Sequence, residues 1–350
     1  MAYISFQPSD YFSTKLYTGT GSELAVTGVG FQPDFTWLKV RNVTGHHQVW
    51  DAARGVTKVI YPSQNDPEGT VAQSLKTFDS DGFTLGTGSY VNTNTNTYAS
   101  YNWKAGTTSG IATNGSTTIT PSSYSFDQTR GISIIKYAGN NTSGAKVAHG
   151  LGVVPQCALF KVTSAADDWS VYHQVMGNTK YLELNNTQAE TTSTDRWNDT
   201  DPDSVNFTLG NAGGVNASQD YIAYCFAGIK GYSKFGSFTG NANADGPFVY
   251  TGFRPAFVMI KNTSAVEAWN VWNDKTSTSG KNVADKNLQP NATTAEQTSI
   301  TGVKEIDLVS NGFKVRGSNT ELNGSGNTLI YAAFAEFPIV SSNDTPGLAR

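Results

Sequence analysis

The chain has 350 residues and a formal net charge of −4; only 15% of residues are Asp, Glu, Lys or Arg, while 12% are aromatic. So many aromatics are out of place in a disordered chain, and the lack of a basic stripe argues against nucleic acid as a partner. Neither an apolar run of membrane-spanning length nor an export leader is read in the sequence, so membrane insertion is not expected.

From its first residues the chain offers strands rather than helices: short apolar or alternating runs bounded by Gly, Asn, Asp and Ser. The first ends at Tyr17–Gly19. GVGFQPDFTWLKV comes next, with Pro33 at the entry of a strand, Phe35–Val40, that is apolar in both registers and so expected to be central and covered on both sides. Lys39 lies six residues after Pro33, and Trp50 eleven after Lys39. Asp81-Gly82 reads as a hairpin turn before Phe83-Thr-Leu-Gly, and TYASYNW closes the block with Ala99, Tyr101 and Trp103 on one face.

Residues 104–118 (KAGTTSGIATNGSTT) read as a Gly/Ser/Thr linker that leaves freedom between the first block and the second. ITPSSYSF at 119–126 echoes ISFQPSDYF at 4–12, so both are expected to form the same opening strand. The block then returns: Tyr137–Gly139, Pro155, Lys161, Tyr172, Phe207-Thr-Leu-Gly, and DYIAYCF with Ile222, Tyr224 and Phe226 inward. It returns once more as Phe238–Gly240, Pro255, Lys261, Trp272, Phe313-Lys-Val-Arg-Gly and TLIYAAF, with Ile330, Ala332 and Phe334 inward. The six- and eleven-residue intervals hold in all three copies. A period near the size of a domain predicts three tandem domains rather than a solenoid. The expected fold is all-β: three antiparallel β-sandwiches of jelly-roll or concanavalin-like type over 1–106, 107–231 and 232–340, then a polar tail at 341–350. Each is expected to fold round its own interior, the second and third packed rigidly through the short junction near Gly231.

Candidate chemistry is sparse. Cys157 and Cys225 fall in two apolar strands of the second copy; a disulfide is possible, and buried free thiols in a reducing cytosol are the expectation. His46 and His47 read as a solvated loop. Asp199, Asp201 and Asp203 have the spacing that opens a calcium loop, but Ser204 and Gly210 stand where Gly and Glu are needed, and a polar turn is the alternative. The Asn-x-Ser/Thr triplets at Asn42, Asn216 and Asn323 carry no implication of glycosylation in so Asn-, Ser- and Thr-rich a chain. No nucleophile elbow, phosphate loop or pair of carboxylates alternating on one strand is read; Glu183 stands alone in YLEL. A non-enzyme with no cofactor is therefore expected.

Lys39, Lys161 and Lys261 read as strand-end ammoniums reaching into water, or else as ligands for an anionic partner. Trp50, Tyr172 and Trp272 share a strand face with Gln48, Ser170 and Asn270, hence one expected to be outward or half-covered. His47, Trp169 and Trp269 stand three residues before them. These rings are read as stacking platforms for a sugar or as anchors at domain and subunit contacts.

The phrases KLYTGTGS, VTGVGFQPDFTWLKVRN, FDSDGFTLG and TYASYNWKAG, and YSKFGSFTGNANADGPFVYTGFRPAFVMIK in the third copy, resemble the repeat domain of virion proteins of marine tailed phages. The resemblance covers most of the chain. It implies a structural protein on the virion surface, made in the host cytoplasm, with no catalytic residues to carry over. The expected role is a tail-associated fibre or adhesion protein that contacts host glycans. A capsid decoration protein is the alternative, and a glycan depolymerase a more distant one. Other virion proteins and further copies of itself, a trimer among the options, are the expected partners. Neither coiled-coil heptads nor a collagen-like run is present for a long fibre.

Overall fold

A computed structural model describes residues 4–277, 283–298, 300 and 302–336, and the backbone alone of 339–340 and 346–347. The expected polar tail at 341–350 lies outside the described residues apart from that backbone. The protein is all-β, and its described helices are single turns.

Each repeat forms two antiparallel sheets. In the first, the strands run Phe12–Thr18, Thr97–Trp103, Phe35–Val40, Gln48–Asp51 across the larger sheet and Leu24–Thr27, Gly82–Leu85, Leu75–Asp79 across the smaller. The third repeat matches it, with Ser233–Thr239, Thr328–Phe334, Phe257–Asn262 and Asn270–Asn273 in the larger sheet. The second adds strands at both ends of its larger sheet, Ser123–Asp127 beyond Ile132–Ala138 and Lys180–Glu183 beyond Ser170–His173. The strand after each repeat Pro is central and wholly buried, as its composition in both registers requires.

Period-two alternation sends the two faces of each larger sheet into different interiors. One face packs on the smaller sheet of its own repeat. It gives a private core round Leu38, Trp50 and Phe83 in the first repeat, Phe160, Tyr172 and Phe207 in the second, and Ile260, Trp272 and Phe313 in the third. The other face of all three sheets meets in one common core that contains Phe12, Phe35, Trp103, Leu159, Phe226, Phe257 and Phe334. The expectation of three separate interiors thus captures half of the packing. A sheet apolar on both faces needs two covers, and a smaller sheet supplies only one.

The linker expectation is corrected. Residues 104–122 are docked along the second repeat: Thr107 bridges Phe126, and Ile119, buried, bridges Val147 on the smaller sheet. The echo between 4–12 and 119–126 does not give equivalent elements either. Pro8–Asp10 is a 3₁₀ turn, whereas Ser123–Asp127 is an additional edge strand. The counterpart of the Ile132–Ala138 strand in the first repeat is Phe12–Thr18.

A further triplicate emerges only in the structure. The one-turn helices Ser89–Asn92, Gly213–Asn216 and Thr320–Asn323 each end in a fully buried asparagine. Asn216 Nδ2 donates to the carbonyls of Gly210 and Thr142, both at 2.9 Å, and its Oδ1 accepts from Asn140 N at 2.9 Å. Asn92 and Asn323 repeat the bracket on Gly86 and Gly317. Beside it, a Cβ at Gly19, Gly139 or Gly240 would overlap the carbonyl oxygen of Thr93, Ala217 or Gly324, which is why each first strand ends in glycine. The sequence signal is Gly-x₅-Asn after each Phe83-type strand.

Candidate functional site

The junctions between repeats gather the three lysines, Trp169 and Trp269 from among the residues that looked functional. In each repeat the segment after the fourth strand leaves its own sandwich and lies on the next. Glu68 N, in the first repeat, donates to Thr163 O in the second at 2.9 Å. Glu190 N donates to Thr263 O in the third at 2.9 Å, and Glu296 N closes the circle by donating to Arg41 O in the first at 2.7 Å. Residues 41, 163 and 263 are equivalent, each two beyond a repeat lysine, so the three contacts form one ring with approximate threefold symmetry. The last contact is reinforced by a bidentate pair, with Arg41 Nε and Nη2 on the two Glu296 carboxylate oxygens at 3.0 and 2.8 Å.

The three lysines sit inside this ring and do not reach water. Lys39, Lys161 and Lys261 are fully buried. Each Nζ donates to the next carbonyl on its own strand, Val40 O at 2.9 Å, Val162 O at 2.8 Å or Asn262 O at 2.7 Å. Each also reaches a carbonyl of the neighbouring repeat: Thr293 O at 3.4 Å, Asn65 O at 3.2 Å and Thr187 O at 3.3 Å. These lysines are junction clamps, which corrects both the solvent-reaching and the anion-binding expectation.

The aromatic expectation divides. Trp169 and Trp269 are contacts between repeats: their Nε1 donate to Tyr61 O at 3.0 Å and Glu183 O at 2.9 Å in the preceding repeat. His47 fills the equivalent place in the first repeat, buried rather than solvated, and accepts from Trp37 Nε1 at 2.9 Å. Trp50, Tyr172 and Trp272 are 0%, 3% and 0% exposed, each in the private core of its repeat. They offer no face to a sugar. The polar neighbours Gln48, Ser170 and Asn270 are buried as well, which is what made that face look outward.

The next residue completes a second ring. Asp51 Oδ2 accepts from Tyr224 Oη of the second repeat at 2.6 Å, and Asn273 Nδ2 donates to Tyr101 Oη of the first at 3.1 Å. His173 Nε2 lies 3.3 Å from Tyr331 O of the third, where Ala332 replaces the tyrosine. Asp51 is also paired with Arg54 at 2.6 Å, both side chains fully buried, and Arg54 Nη2 donates to Val49 O at 3.1 Å.

Asp199, Asp201 and Asp203 do not converge. Asp203 Oδ1 accepts from Val205 N and Asn206 N, both at 2.7 Å, so the run is the polar turn before Phe207. Among the described residues no group of three His, Cys, Asp or Glu side chains could hold a metal ion. Cys157 and Cys225 are buried free thiols on opposite faces of one sheet, Cys157 in the common core and Cys225 in the private one, and that geometry forbids a bridge. The common core encloses an apolar gap of about 20 Å³ lined by Phe35, Trp103, Cys157 and Phe334 among others. That is room for one water with no polar partner, and far too little for an organic ligand.

Burial sets a pH profile. It lowers the three lysines to about 8, so between there and the ordinary lysine range the unfolded chain holds protons that the folded chain has released. Stability rises with pH in that window. Burial raises Cys157 to about 12 and lifts Cys225, Tyr17, Tyr101, Tyr137, Tyr224 and Tyr232 as well; these ionise first in the unfolded chain and reverse the trend. Burial also holds His173 down at about 4 and His47 well below its ordinary value, so stability falls as pH drops below the usual histidine range. Guanidinium melts should show greatest stability between about pH 8 and about pH 10, with losses below about 6.5 and above about 10.

Rings left on the surface are few. Phe248 and Tyr250 are 48% and 58% exposed and point outward together from the edge strand Phe248–Tyr250 of the third repeat's smaller sheet. The equivalent positions are Ala25 and Thr27 in the first repeat and Lys146 and Ala148 in the second. Lys234 Nζ lies 5.2 Å from the Tyr250 ring centroid and donates to Tyr250 O at 2.6 Å. The sequence signal is the phrase FVY, alternating aromatic–Val–aromatic, which no other copy contains.

The family described as domain of unknown function (DUF7483) matches residues 7–338. The chain belongs to that family. The matched span runs through all three repeats as a single DUF7483 domain, consistent with one common core. No curated protein and no solved structure matches the chain.

Proposed function

We propose that this DUF7483 protein is a non-enzymatic structural protein displayed on a tailed-phage virion, tail-associated, and that it touches the host surface through the Phe248–Tyr250 strand. The phage reading rests on the sequence resemblance. The contact face rests on one observation: the only repeat-specific pair of half-exposed rings on a single strand face among the described residues lies there. Flat rings beside a lysine ammonium suit stacking on a sugar and hydrogen bonding to its hydroxyls. Glycans of the host surface are thus the partner class, with this strand in place of the platforms expected at Trp50, Tyr172 and Trp272.

Capsid decoration is the second reading, favoured by the approximate threefold ring, which would suit seating on a threefold site of a shell. Immunogold labelling of particles separates the two. Tail label in multiples of three or six supports the first, and hundreds of copies on the head support the second. The variant Phe248→Ser/Tyr250→Ser should lower adsorption of phage to host cells at least about tenfold with unchanged particle assembly. Unchanged adsorption would remove the contact face. Shortening of host polysaccharide by the purified protein would instead support the depolymerase alternative.

A further inference from the structure

The surroundings of the two exposed rings depart from the other repeats as much as the rings do. Phe248 follows Gly240 by eight residues, whereas Ala25 follows Gly19 by six and Lys146 follows Gly139 by seven; Asp245 lies on this lengthened loop. Lys314 is the cross-strand partner of Phe248 and so shares its outward face, where Thr84 and Thr208 stand in the other copies. Arg316 is an extra residue between Val315 and Gly317, whereas Leu85-Gly86 and Leu209-Gly210 are contiguous. Lys234, against the Tyr250 ring, replaces Ser13 and Ser133.

Two of these cations converge on one carboxylate oxygen. Lys314 Nζ lies 2.8 Å and Arg316 Nη1 3.5 Å from Asp245 Oδ1. Arg316 also pairs with Asp307 on the next strand. The Asp245 side chain is 78% exposed, and among the described residues Lys314 and Arg316 are the only groups that hold it. The loop does not depend on that carboxylate: Asn241 Nδ2 donates to Asp245 O at 3.3 Å, and Asp245 N donates to Asn243 Oδ1 at 2.9 Å. Exposed ion pairs contribute little, so a ligand oxyanion that is held by stacking as well can take the place of Asp245. Lys234 pairs with no carboxylate among the described residues, and its ammonium stands at the Tyr250 end of the same face.

We infer that the glycan taken by this face is acidic: its carboxylate or sulfate oxygen replaces Asp245 Oδ1 between Lys314 and Arg316, while Phe248 and Tyr250 stack on the sugar rings. The inference rests on the reading of the Phe248–Tyr250 strand as the contact face. A neutral sugar offers only hydroxyls, which do not compete with a carboxylate for two cations, and it would leave Asp245 in place. A polymer with an acid group on each sugar meets a cation at both ends of the ring pair, Lys234 at one and Lys314 with Arg316 at the other. The chain as a whole has a net charge of −4, so the attraction is local to this face.

Binding of the full chain to immobilised polygalacturonate, dextran sulfate and neutral dextran tests this. At least one acidic polymer should bind about tenfold or more tightly than dextran, more weakly as salt is raised, and the better of the two tells carboxylate from sulfate. Lys314→Gln/Arg316→Gln should lose about tenfold on that polymer, with an unchanged melting temperature. Asp245→Asn gives the deciding sign. Removal of the resident competitor should tighten acidic binding about threefold, whereas a carboxylate that received sugar hydroxyls would be missed and binding would weaken. Equal binding of acidic and neutral polymers, or weakening in Asp245→Asn, overturns the inference; loss of binding in Phe248→Ser/Tyr250→Ser would still leave the contact face standing. Acidic binding that survives Phe248→Ser/Tyr250→Ser unchanged removes the contact face, and the inference with it.

Discussion

Phe334→Ala is expected to lower stability by about 3–5 kcal/mol and to shift the unfolding of all three repeats together. Its ring lies 5.6 Å from Phe12 and 5.4 Å from Trp103 of the first repeat, 5.7 Å from Phe226 of the second, and 5.7 and 6.1 Å from Phe235 and Phe257 of its own. The adjoining gap is already apolar and is walled by large rings from all three sheets, so collapse into the vacated volume is hindered. Were the repeats independent, the loss would be confined to the third. Near-ultraviolet dichroism together with the fluorescence of Trp197, buried in the private core of the second repeat, reads the difference. Loss of the Trp197 signal at the same denaturant concentration as the global transition is the expected result.

The second large effect is expected at Arg54. Its guanidinium is the buried partner of Asp51, which in turn holds Tyr224 across the junction of the first and second repeats. Arg54→Met leaves a carboxylate without its counter-charge in a site closed to water, a change that costs about 3–5 kcal/mol. Removing the charge as well should recover much of the loss: Asp51→Asn/Arg54→Met keeps an acceptor for the Tyr224 hydroxyl without burying an ion. Chemical denaturation of the two variants checks the order. A double variant less stable than Arg54→Met alone would mean that the carboxylate itself, rather than its unpaired charge, holds the junction.

How much of this was legible in sequence depends on the range of the interaction. The triplicate frame, the strand class, the Pro at each strand entry and the doubly covered central strand come from spacing and period, which are local properties. The partner of the second covered face was not legible. Phe35, Leu159 and Phe257 are apolar for the same reason whether the cover comes from the same repeat or from another. The lysines misled because an ammonium at a strand end ordinarily meets water, whereas here the three are capped by carbonyls from segments of the neighbouring repeat, distant in sequence. Trp50, Tyr172 and Trp272 misled because their strand neighbours are polar yet buried, satisfied by bonds such as that from Arg196 Nη1 to Ser170 Oγ at 2.8 Å. The exposed rings Phe248 and Tyr250 broke the repeat pattern.

Scanning calorimetry of the intact chain tests the shared interior most directly. One endotherm whose calorimetric enthalpy equals its van't Hoff enthalpy is the expected result, because no repeat can unfold without baring its inner sheet face in the other two. Separable transitions, or a calorimetric enthalpy near three times the van't Hoff value, would show three domains melting on their own and contradict the ring.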